Sequence, residues 1–387
     1  MGQLHFLTWP EIIVHVVAYR LWPVWLSLAI VMGLSYRYKK RLGLYGQLYD
    51  TGIGMVGIFI LGFWFFCAVF SHYVSPFDPL GQIAVMRNAL PGAIEPQSGH
   101  AYLFGGDRLA RDVFSRMIDG SRIVLLIAPL ATLVALTVGV TLGLPAGYFG
   151  RKTDSVLSFV ANLVLAFPVI LLFYLLVSPE IVETGLPRIT AGVFFAFPVI
   201  LGVLAFWTRY SGRPMLLAIQ LLVVLVITYW LYSTFVFFSD PLHLIQVTPS
   251  TLNIFVAVVF ASSPGVFRIV RGLVMDIQTR DYVAAAQTRG ENPWYIMIWE
   301  VLPNARGPLI VDTCLRIGYT TILLGTLGFF GLGMPPESPD WGTSIKDGSE
   351  LLRIYIHPAL PPALALMSFV LGLNLLADAL REQSLKD

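Results

Sequence analysis

The chain has 387 residues, of which 56% are hydrophobic and 12% charged, and its formal net charge is +2 at pH 7. Together with a mean hydropathy of +0.74, this composition excludes a soluble globular protein of this length and is typical of a polytopic membrane protein. So small a net charge indicates no nucleic-acid partner. The two cysteines, Cys67 and Cys314, lie in separate apolar runs, so neither a disulfide framework nor a thiolate metal site is indicated.

Apolar runs of the length that a helix needs to cross a bilayer recur along the whole chain. About nine are predicted, near residues 20–37, 53–74, 122–147, 155–177, 189–208, 215–237, 252–271, 308–332 and 359–380. In lipid the backbone polar groups must be satisfied within each segment, and no alternating pattern of barrel strands is present. The predicted fold class is therefore all-α, with about nine transmembrane helices.

The first apolar run is predicted to be a retained span rather than a cleaved signal peptide. No small-residue cleavage site follows it, and a basic cluster comes after it: Arg37, Lys39, Lys40 and Arg41. Residues 1–20, which include His15 and Arg20, are amphipathic, and lying along the membrane interface is the alternative for them.

The polar segment 75–121 precedes the third apolar run. Its apolar residues Leu109, Val113, Phe114 and Met117 recur at helical spacing. The charged residues are predicted to face away from that apolar stripe: Asp107, Arg108, Arg111, Asp112 and Arg116. An amphipathic helix lying on the mouth of the following span is predicted here. Further along, Pro168 falls within the run 155–177, where a proline must bend or locally unwind a helix.

Residues 275–304, called the elbow below, form a polar-containing segment between two strongly apolar ones. Gly290 suits the left-handed conformation that ends a helix, while Asn292 and Pro293 suit the N-cap and first position of the next. Two short helices meeting at a corner are therefore predicted. The run 284–286 is all alanine, which would let another surface approach the first helix closely. We interpret the elbow as a docking element, with an ordinary helical hairpin as the alternative.

Several patterns bear on other kinds of site. Asp312 and Arg316 are four residues apart on one predicted helix and are expected to pair, a substrate contact being the less favoured interpretation. Gly325, Gly328, Gly331 and Gly333 predict close helix approach. The six histidines show no ligand spacing, and neither the glycine-rich segment 325–342 nor residues 149–153 have the residues of a phosphate-binding loop. Neither a metal site nor nucleotide binding is predicted.

Two motifs resemble the membrane subunits of binding-protein-dependent ABC importers. The cytoplasmic loop of that family has the form Glu-Ala-Ala, three residues, Gly, nine residues, Ile, one residue, Leu-Pro. The corresponding positions here are Ala284, Ala285, Ala286, Gly290, Glu300, Leu302 and Pro303, with Ala284 in place of Glu and Glu300 in place of Ile. A second stretch resembles the peptide-importer branch of the family at Phe104, Gly105, Asp107, Arg111, Asp112, Val113, Phe114, Ser115, Arg116, Gly120 and Arg122.

The resemblance implies a permease subunit of an ATP-driven importer of di- and oligopeptides in the bacterial inner membrane. Its partners would be a homologous permease that shares the translocation pathway, two ATPase subunits, an external solute-binding protein, the peptide substrate and membrane lipid. ATP would bind to the ATPases, so no cofactor and no enzymatic activity are expected of this chain. Because Lys and Arg concentrate on the elbow's side of the membrane, the elbow and the C-terminus are expected to be cytoplasmic.

The resemblance also implies domain divisions. Residues 1–50 would be an N-terminal extension with one extra span, 51–178 the first part of a six-helix core, 179–250 an insertion with two extra spans, and 251–387 the second part of the core. ATPase coupling is expected of Asp281, Tyr282, Ala284, Ala285, Ala286, Gly290, Asn292, Pro293, Glu300, Leu302 and Pro303. An external gate segment is expected to use Asp107, Arg111, Asp112, Phe114 and Arg116.

Other functions are less favoured by the sequence. The cargo of such an importer could instead be nickel chelates or peptide antibiotics. A secondary transporter acting alone would be expected to carry coupling carboxylates near the middle of the membrane, whereas most acidic residues here lie at span ends or in loops. A membrane-embedded enzyme would need a clustered nucleophile, base or metal ligands, which the sequence does not indicate.

Overall fold

The computed structural model describes residues 5–240, 248–332, 335 and 338–384. The described chain is mainly helical and divides into two compact units. The first unit comprises Met1–Ala128 and Ile317–Asp387, and the second comprises Pro129–Arg316. The predicted divisions after residues 50, 178 and 250 stay predictions.

The elements of the first 150 residues begin with short helices and lead into one long helix. They are α1 Trp9–Val14, α2 Trp22–Arg37, α3 Gly43–Gln47, α4 Gly52–Val69, α5 Ser71–Val74, β1 Ala93–Ile94, β2 Ala101–Tyr102 and α6 Val113–Phe149. A π-helical turn, His15–Arg20, joins α1 to α2. Strands β1 and β2 pair antiparallel, with Ala93 opposite Tyr102.

The remaining elements are helices. They are α7 Arg151–Ala166, α8 Val169–Val177, α9 Pro179–Glu183, α10 Leu186–Tyr210, α11 Pro214–Val236, α12 Pro249–Ile277, α13 Asp281–Thr288, α14 Pro293–Tyr295, α15 Leu302–Asn304, α16 Arg306–Phe329, α17 Trp341–Ser349 and α18 Leu360–Ser384. A π-helical turn, Ile296–Val301, joins α14 to α15.

Seven of these helices are long and apolar enough to cross a membrane, and two bent helix pairs bring the number to nine if each pair is one span. The pairs are Trp9–Arg20 with Trp22–Arg37, bent by 56°, and Arg151–Ala166 with Val169–Leu176, bent by 79°. The prediction of an all-α chain with about nine spans is confirmed. The second bend lies at Phe167 and Pro168, whose extended backbone interrupts the helix as the proline predicted.

In the first unit, α4 and α18 pack closely because each has a glycine at the contact. A Cβ atom on Gly57 would lie 3.0 Å from the backbone nitrogen of Leu376, and one on Gly372 would lie 2.9 Å from Ile60 Cγ2. The Trp64 indole donates to Ser368 Oγ at 2.9 Å. Trp341 of α17 contacts Trp64 edge-on, with ring centroids 5.0 Å apart. Helix α17 is thereby fastened to the α4–α18 pair.

The second unit is built around α12, which leads into the elbow. Gly139, Gly143 and Gly147 of α6 face Val266, Val270 and Val274 of α12, and a Cβ at these glycines would lie 2.4, 2.8 and 2.6 Å from the valine side chains. Glycines four residues apart let the two backbones approach along their length. On α7, Asp154 accepts from both Nε and Nη2 of Arg271, the second contact at 2.6 Å. Helix α12 is therefore held by both α6 and α7.

Residues 179–250 contain the two further long apolar helices that the sequence predicted, α10 and α11. The Phe195 ring of α10 stacks on Phe255 of α12, with centroids 5.6 Å apart and planes 9° apart. Phe235 of α11 also contacts Phe255, at 4.5 Å between centroids. This aromatic cluster attaches the helix pair to the first half of α12.

Other local predictions concern α16 and its C-terminal end. The pair of Asp312 and Arg316 is confirmed, at 2.6 Å between Oδ2 and Nε. Gly328 allows close approach as predicted, because a Cβ there would lie 3.0 Å from the Cα of Gly342. Gly331 instead lies in a turn with φ of +69°. Gly333 lies outside the described residues.

Candidate functional site

The first elbow helix, α13, ends in a backbone arrangement that glycine makes possible. Gly290 has a φ of +77°, in the left-handed region. Its N–H donates to the carbonyl of Gln287 at 3.0 Å, and the N–H of Glu291 donates to the carbonyl of Ala286 at 3.3 Å. These two bonds form a Schellman motif, which satisfies carbonyls that a helix end would otherwise leave unpaired. The predicted helix end at Gly290 is confirmed.

The second elbow helix begins where the sequence predicted. The Asn292 side chain accepts from the backbone N–H of Trp294 at 2.9 Å, and Pro293 occupies the first helical position. Helix α14, the π-helical turn and α15 then follow one another as far as Asn304. Arg289, just before the corner, donates to Glu300 Oε1 at 3.0 Å. This pair connects the two helices across the corner, using the residue that stands at the family's Ile position.

Burial divides the predicted coupling residues into two groups. The exposed ones are Asp281, Tyr282, Ala284, Ala285, Gly290, Asn292, Pro293 and Pro303, and the partly buried ones are Glu300 and Leu302. Ala286 is fully buried, with Val283 beside it on the same face of α13. Of the three alanines expected to keep this helix thin, Ala284 and Ala285 therefore lie on its outer face and Ala286 on its inner face. Residues three apart share a helix face, so Val283 and Ala286 turn inward together while Ala284 and Ala285 stay outside.

The elbow also contacts other helices of the second unit through Gln287 and Trp299, which are not motif positions. Gln287 donates to the Tyr148 hydroxyl near the end of α6 at 3.2 Å. The Trp299 indole lies against the C-terminal end of α10. A tryptophan in a helix of this kind indicates a contact with another element, because a buried indole N–H is usually hydrogen-bonded to an acceptor. Nothing in the local sequence says which helix supplies that acceptor.

The segment before α6 differs from the predicted amphipathic surface helix. The helix starts only at Val113 and continues without interruption into the span, while residues 103–112 form turns in which Gly105 and Ala110 have φ of +83° and +61°. Asp112 accepts from the backbone N–H and the hydroxyl of Ser115, at 2.9 and 2.6 Å. The prediction of a separate helix is wrong because this N-terminal cap fixes the helix start at Val113, so only Arg116 of the five charged residues is helical.

Of the five charged residues predicted to face away from the core, Arg108 is exposed and the other four are buried. Asp107, Arg111, Asp112 and Arg116 are each exposed by 4% or less. The Asp107 carboxylate accepts from Arg111 Nε at 2.7 Å, and Arg111 Nη2 donates to Asp347 of α17 at 2.6 Å. Their burial is tolerable because Asp107 lies within 4.0 Å of both arginines, and Asp112 accepts hydrogen bonds from Ser115. We call Asp107, Arg111, Arg116 and Asp347 the Arg111 network.

Further contacts join the same segment to residues near α17. Arg116 Nη2 donates to the carbonyl of Ser338 at 2.7 Å. The Trp341 indole donates to the carbonyl of Met117 at 2.8 Å. Phe114, also expected in the gate segment, is fully buried with its ring centroid 5.1 Å from that of Phe104. Asp347 and Trp341 were missed by sequence reasoning because their contacts lie more than two hundred residues away along the chain.

Burial raises the pKa of Asp112 to about 6, although the Ser115 hydrogen bonds favour its charged form. A carboxyl with a higher pKa in the folded state binds more protons there than in the unfolded chain. Its contribution to stability is therefore present below about pH 4 and is lost as the pH rises to about 6. We expect the thermal unfolding midpoint in detergent to fall less between pH 4.5 and 6.5 in Asp112→Asn than in the wild type.

The exposed Asp78 provides the control for this measurement, and Asp78→Asn should keep the wild-type dependence on pH. Some dependence should also remain in Asp112→Asn, because burial raises the pKa of Asp340 as well. An identical fall in the wild type and in Asp112→Asn would contradict the prediction.

Comparison with known proteins assigns the chain to a family. A profile described as "Binding-protein-dependent transport system inner membrane component" matches residues 139–384, more than half of the chain. The di/tripeptide transport system permease protein DppC of Pseudomonas aeruginosa is 28% identical, over 82% of this chain and 82% of its own length. The dipeptide permease DppC of Haemophilus influenzae is 27% identical over 85% and 88%. The glutathione transport system permease GsiD of Pectobacterium atrosepticum is 27% identical over 86% and 84%.

The matched region includes the elbow, with its Gly290 corner, and most of the predicted spans. Its description agrees with the multi-pass membrane architecture of the chain and with the resemblance of the elbow motif. This chain belongs to the family of inner membrane components of binding-protein-dependent transport systems.

Proposed function

We propose that this chain is the permease subunit of an ATP-driven importer of di- and oligopeptides, and that it forms the translocation pathway with a homologous permease. Family membership is the observation that carries the proposal. The relatives named for di/tripeptide, dipeptide and glutathione transport support a peptide cargo. An external solute-binding protein would deliver the peptide. Two ATPase subunits would bind ATP, and this chain would carry no cofactor and catalyse no reaction.

The exposed face of the elbow is the proposed seat of an ATPase subunit. Ala284 and Ala285 are exposed there without large side chains, so a groove in the partner can approach the backbone of α13. Asp281 and Tyr282 lie exposed on the preceding positions and offer polar contacts. The excess of Lys and Arg on this side supports a cytoplasmic elbow and C-terminus.

A stiff elbow is what mechanical coupling requires, because a flexible loop would absorb the displacement. The Schellman motif at Gly290 and the contact between Arg289 and Glu300 provide that stiffness. Movement of α13 would pass into α12 through the short link 278–280, and movement of α15 would pass into α16 through Ala305. Because α12 packs closely on α6, the displacement would reach more than one spanning helix.

The test uses the whole complex, purified with its second permease and ATPases and reconstituted with a binding protein. ATP-dependent uptake of a labelled dipeptide is expected, with weaker competition from nickel chelates than from unlabelled peptides. Ala285→Trp is expected to reduce ATPase co-purification and uptake at least about tenfold, corresponding to about 1.4 kcal/mol of lost docking energy. Its membrane abundance should be unchanged, because the side chain points away from the fold.

Ala84→Trp, at an exposed alanine outside the elbow, is the matched control and should behave as the wild type. Uptake by the reconstituted chain without any ATP-hydrolysing subunit would overturn the proposal. Full ATPase binding and uptake in Ala285→Trp would remove the elbow from the mechanism.

A further inference from the structure

Trp299, in the π-helical turn of the elbow, makes three contacts with the C-terminal end of α10. Its indole N–H lies 3.2 Å from both the carbonyl oxygen of Ala205 and the hydroxyl oxygen of Thr208. The Arg209 guanidinium carbon lies 4.3 Å from the centroid of a Trp299 ring, within the range of a cation–π interaction. The contacting residues of α10 are spaced by three and four, so they share one face of that helix.

The Thr208 hydroxyl is held in position to receive the indole. It donates to the carbonyl of Leu204 at 2.7 Å, so its lone pairs face outward as acceptors. The indole N–H, the hydroxyl and the helix carbonyl are thus joined in one small hydrogen-bond network. The ring itself is positioned by a directional polar contact as well as by packing.

Apolar packing accompanies these polar contacts. Leu201, Leu204 and Ala205 of α10 lie against the buried cluster inside the elbow. That cluster includes Val283 and Ala286 of α13 together with Ile296, Met297 and Val301 of the second elbow helix. One face of α10 therefore packs against the hydrophobic cluster to which both elbow helices contribute.

The other end of α10 is attached to α12. Phe195 stacks on Phe255 in the first half of α12, at 5.6 Å between ring centroids. Fourteen residues separate Phe195 from Arg209, which is about 21 Å along a helix that rises 1.5 Å per residue. Helix α10 therefore connects the first half of α12 to the second elbow helix, while α12 itself joins the elbow at its opposite end.

We infer that α10 is a positioning element for the elbow, with Trp299 and Arg209 as its contact residues. This inference rests on the proposed function. By holding the second elbow helix at a fixed distance from the first half of α12, α10 makes a displacement of the elbow act on both ends of α12. Without that contact the elbow could turn about its junction with α12, and ATP would be hydrolysed with less peptide moved.

The test measures ATP hydrolysed per peptide imported, in proteoliposomes containing the complete complex. Trp299→Ala should raise this ratio at least threefold while the ATPases still co-purify at the wild-type level. Trp299→Phe keeps a ring for Arg209 but lacks the N–H donor, and should give an intermediate ratio. Arg209→Gln should also raise the ratio, and Arg209→Lys, which keeps a cation near the ring, should lie closer to the wild type.

Two exposed residues close to this contact serve as controls. Trp207, on α10, and Arg213, just before α11, are exposed, and Trp207→Ala and Arg213→Gln should leave the ratio unchanged. A wild-type ratio in assembled Trp299→Ala complexes would overturn the inference, including the case in which ATP hydrolysis and uptake fall equally. If Trp299→Ala does not assemble, wild-type ratios in both Trp299→Phe and Arg209→Gln would overturn it.

The outcome for the wild type separates this inference from the proposed function. If the wild-type protein purifies without ATPase subunits, or if its uptake does not depend on ATP, the proposed function itself is wrong. Coupled wild-type uptake with unaffected variants would defeat only the positioning role of α10.

Discussion

Replacing Gly290 with valine is expected to reduce ATP-driven peptide uptake about tenfold to a hundredfold. Valine would strain the backbone at this position by about 1–3 kcal/mol, and the chain would relieve that strain by opening the corner between the two elbow helices. The backbone there has a φ of +77°, which a β-branched residue adopts only with strain. Nothing lies within 4 Å of a Cβ at this position, so the effect is on backbone conformation and not on packing. The measurements are uptake in proteoliposomes, ATPase co-purification and membrane abundance, the last of which should not change.

Two other variants distinguish the effect of backbone strain on uptake from the effect of merely replacing a glycine. Gly290→Asn should retain most uptake, because asparagine tolerates the left-handed region better than other residues. Gly272→Ala, in α12, has open space around its Cβ and an ordinary helical backbone, so it should also transport normally. Equal uptake by Gly290→Val and Gly290→Asn would show that the geometry of the corner does not matter to transport.

Arg111→Gln is expected to destabilise the protein by about 3–5 kcal/mol, the usual cost of removing one partner of a buried ion pair. The Arg111 side chain is 1% exposed and lies between Asp107 and Asp347, so its loss leaves carboxylates without their cation. Arg111→Lys should recover only part of the stability, because an ammonium group cannot reproduce the planar fork that reaches both carboxylates. The measurement is the free energy of unfolding of the detergent-solubilised protein by denaturant titration.

The neighbouring Arg108 provides a matched control. Its ion pair with Glu350 has side chains that are 44% and 45% exposed, so Arg108→Gln should cost less than about 1 kcal/mol. The two variants remove the same charge at positions three residues apart, and they differ mainly in burial. Similar losses of stability would mean that the Arg111 network does not hold the segment before α6 to α17.

The burial of Ala286 changes how docking at the elbow should be tested. A large side chain at position 286 would disturb the cluster formed by Val283, Ile296 and Met297, and would reduce folding together with transport. A large side chain at the exposed Ala285 should affect only the approach of a partner. Substitutions at these neighbouring alanines therefore probe packing and docking separately.

Features that depend on composition or on a few adjacent residues could be predicted before the fold was known. The apolar runs gave the all-α membrane class, Gly290 with Asn292 and Pro293 gave the elbow corner, and Pro168 gave the bend between α7 and α8. Asp312 and Arg316 could be paired because four residues separate them on one helix. In each case the deciding interaction is local, so its geometry follows from backbone preferences and helix periodicity.

The burial of side chains and their contacts with other helices, in contrast, depend on packing between segments that are distant in sequence. Arg111 meets Asp347 across 236 residues of chain, and Trp299 meets Ala205 across 94. Charged residues spaced as though on a surface helix could not be recognised as buried, because the partners that make their burial tolerable are distant in sequence. The inward turn of Ala286 and the contact of α10 with the elbow have the same cause, since helix packing joins segments that no local pattern relates.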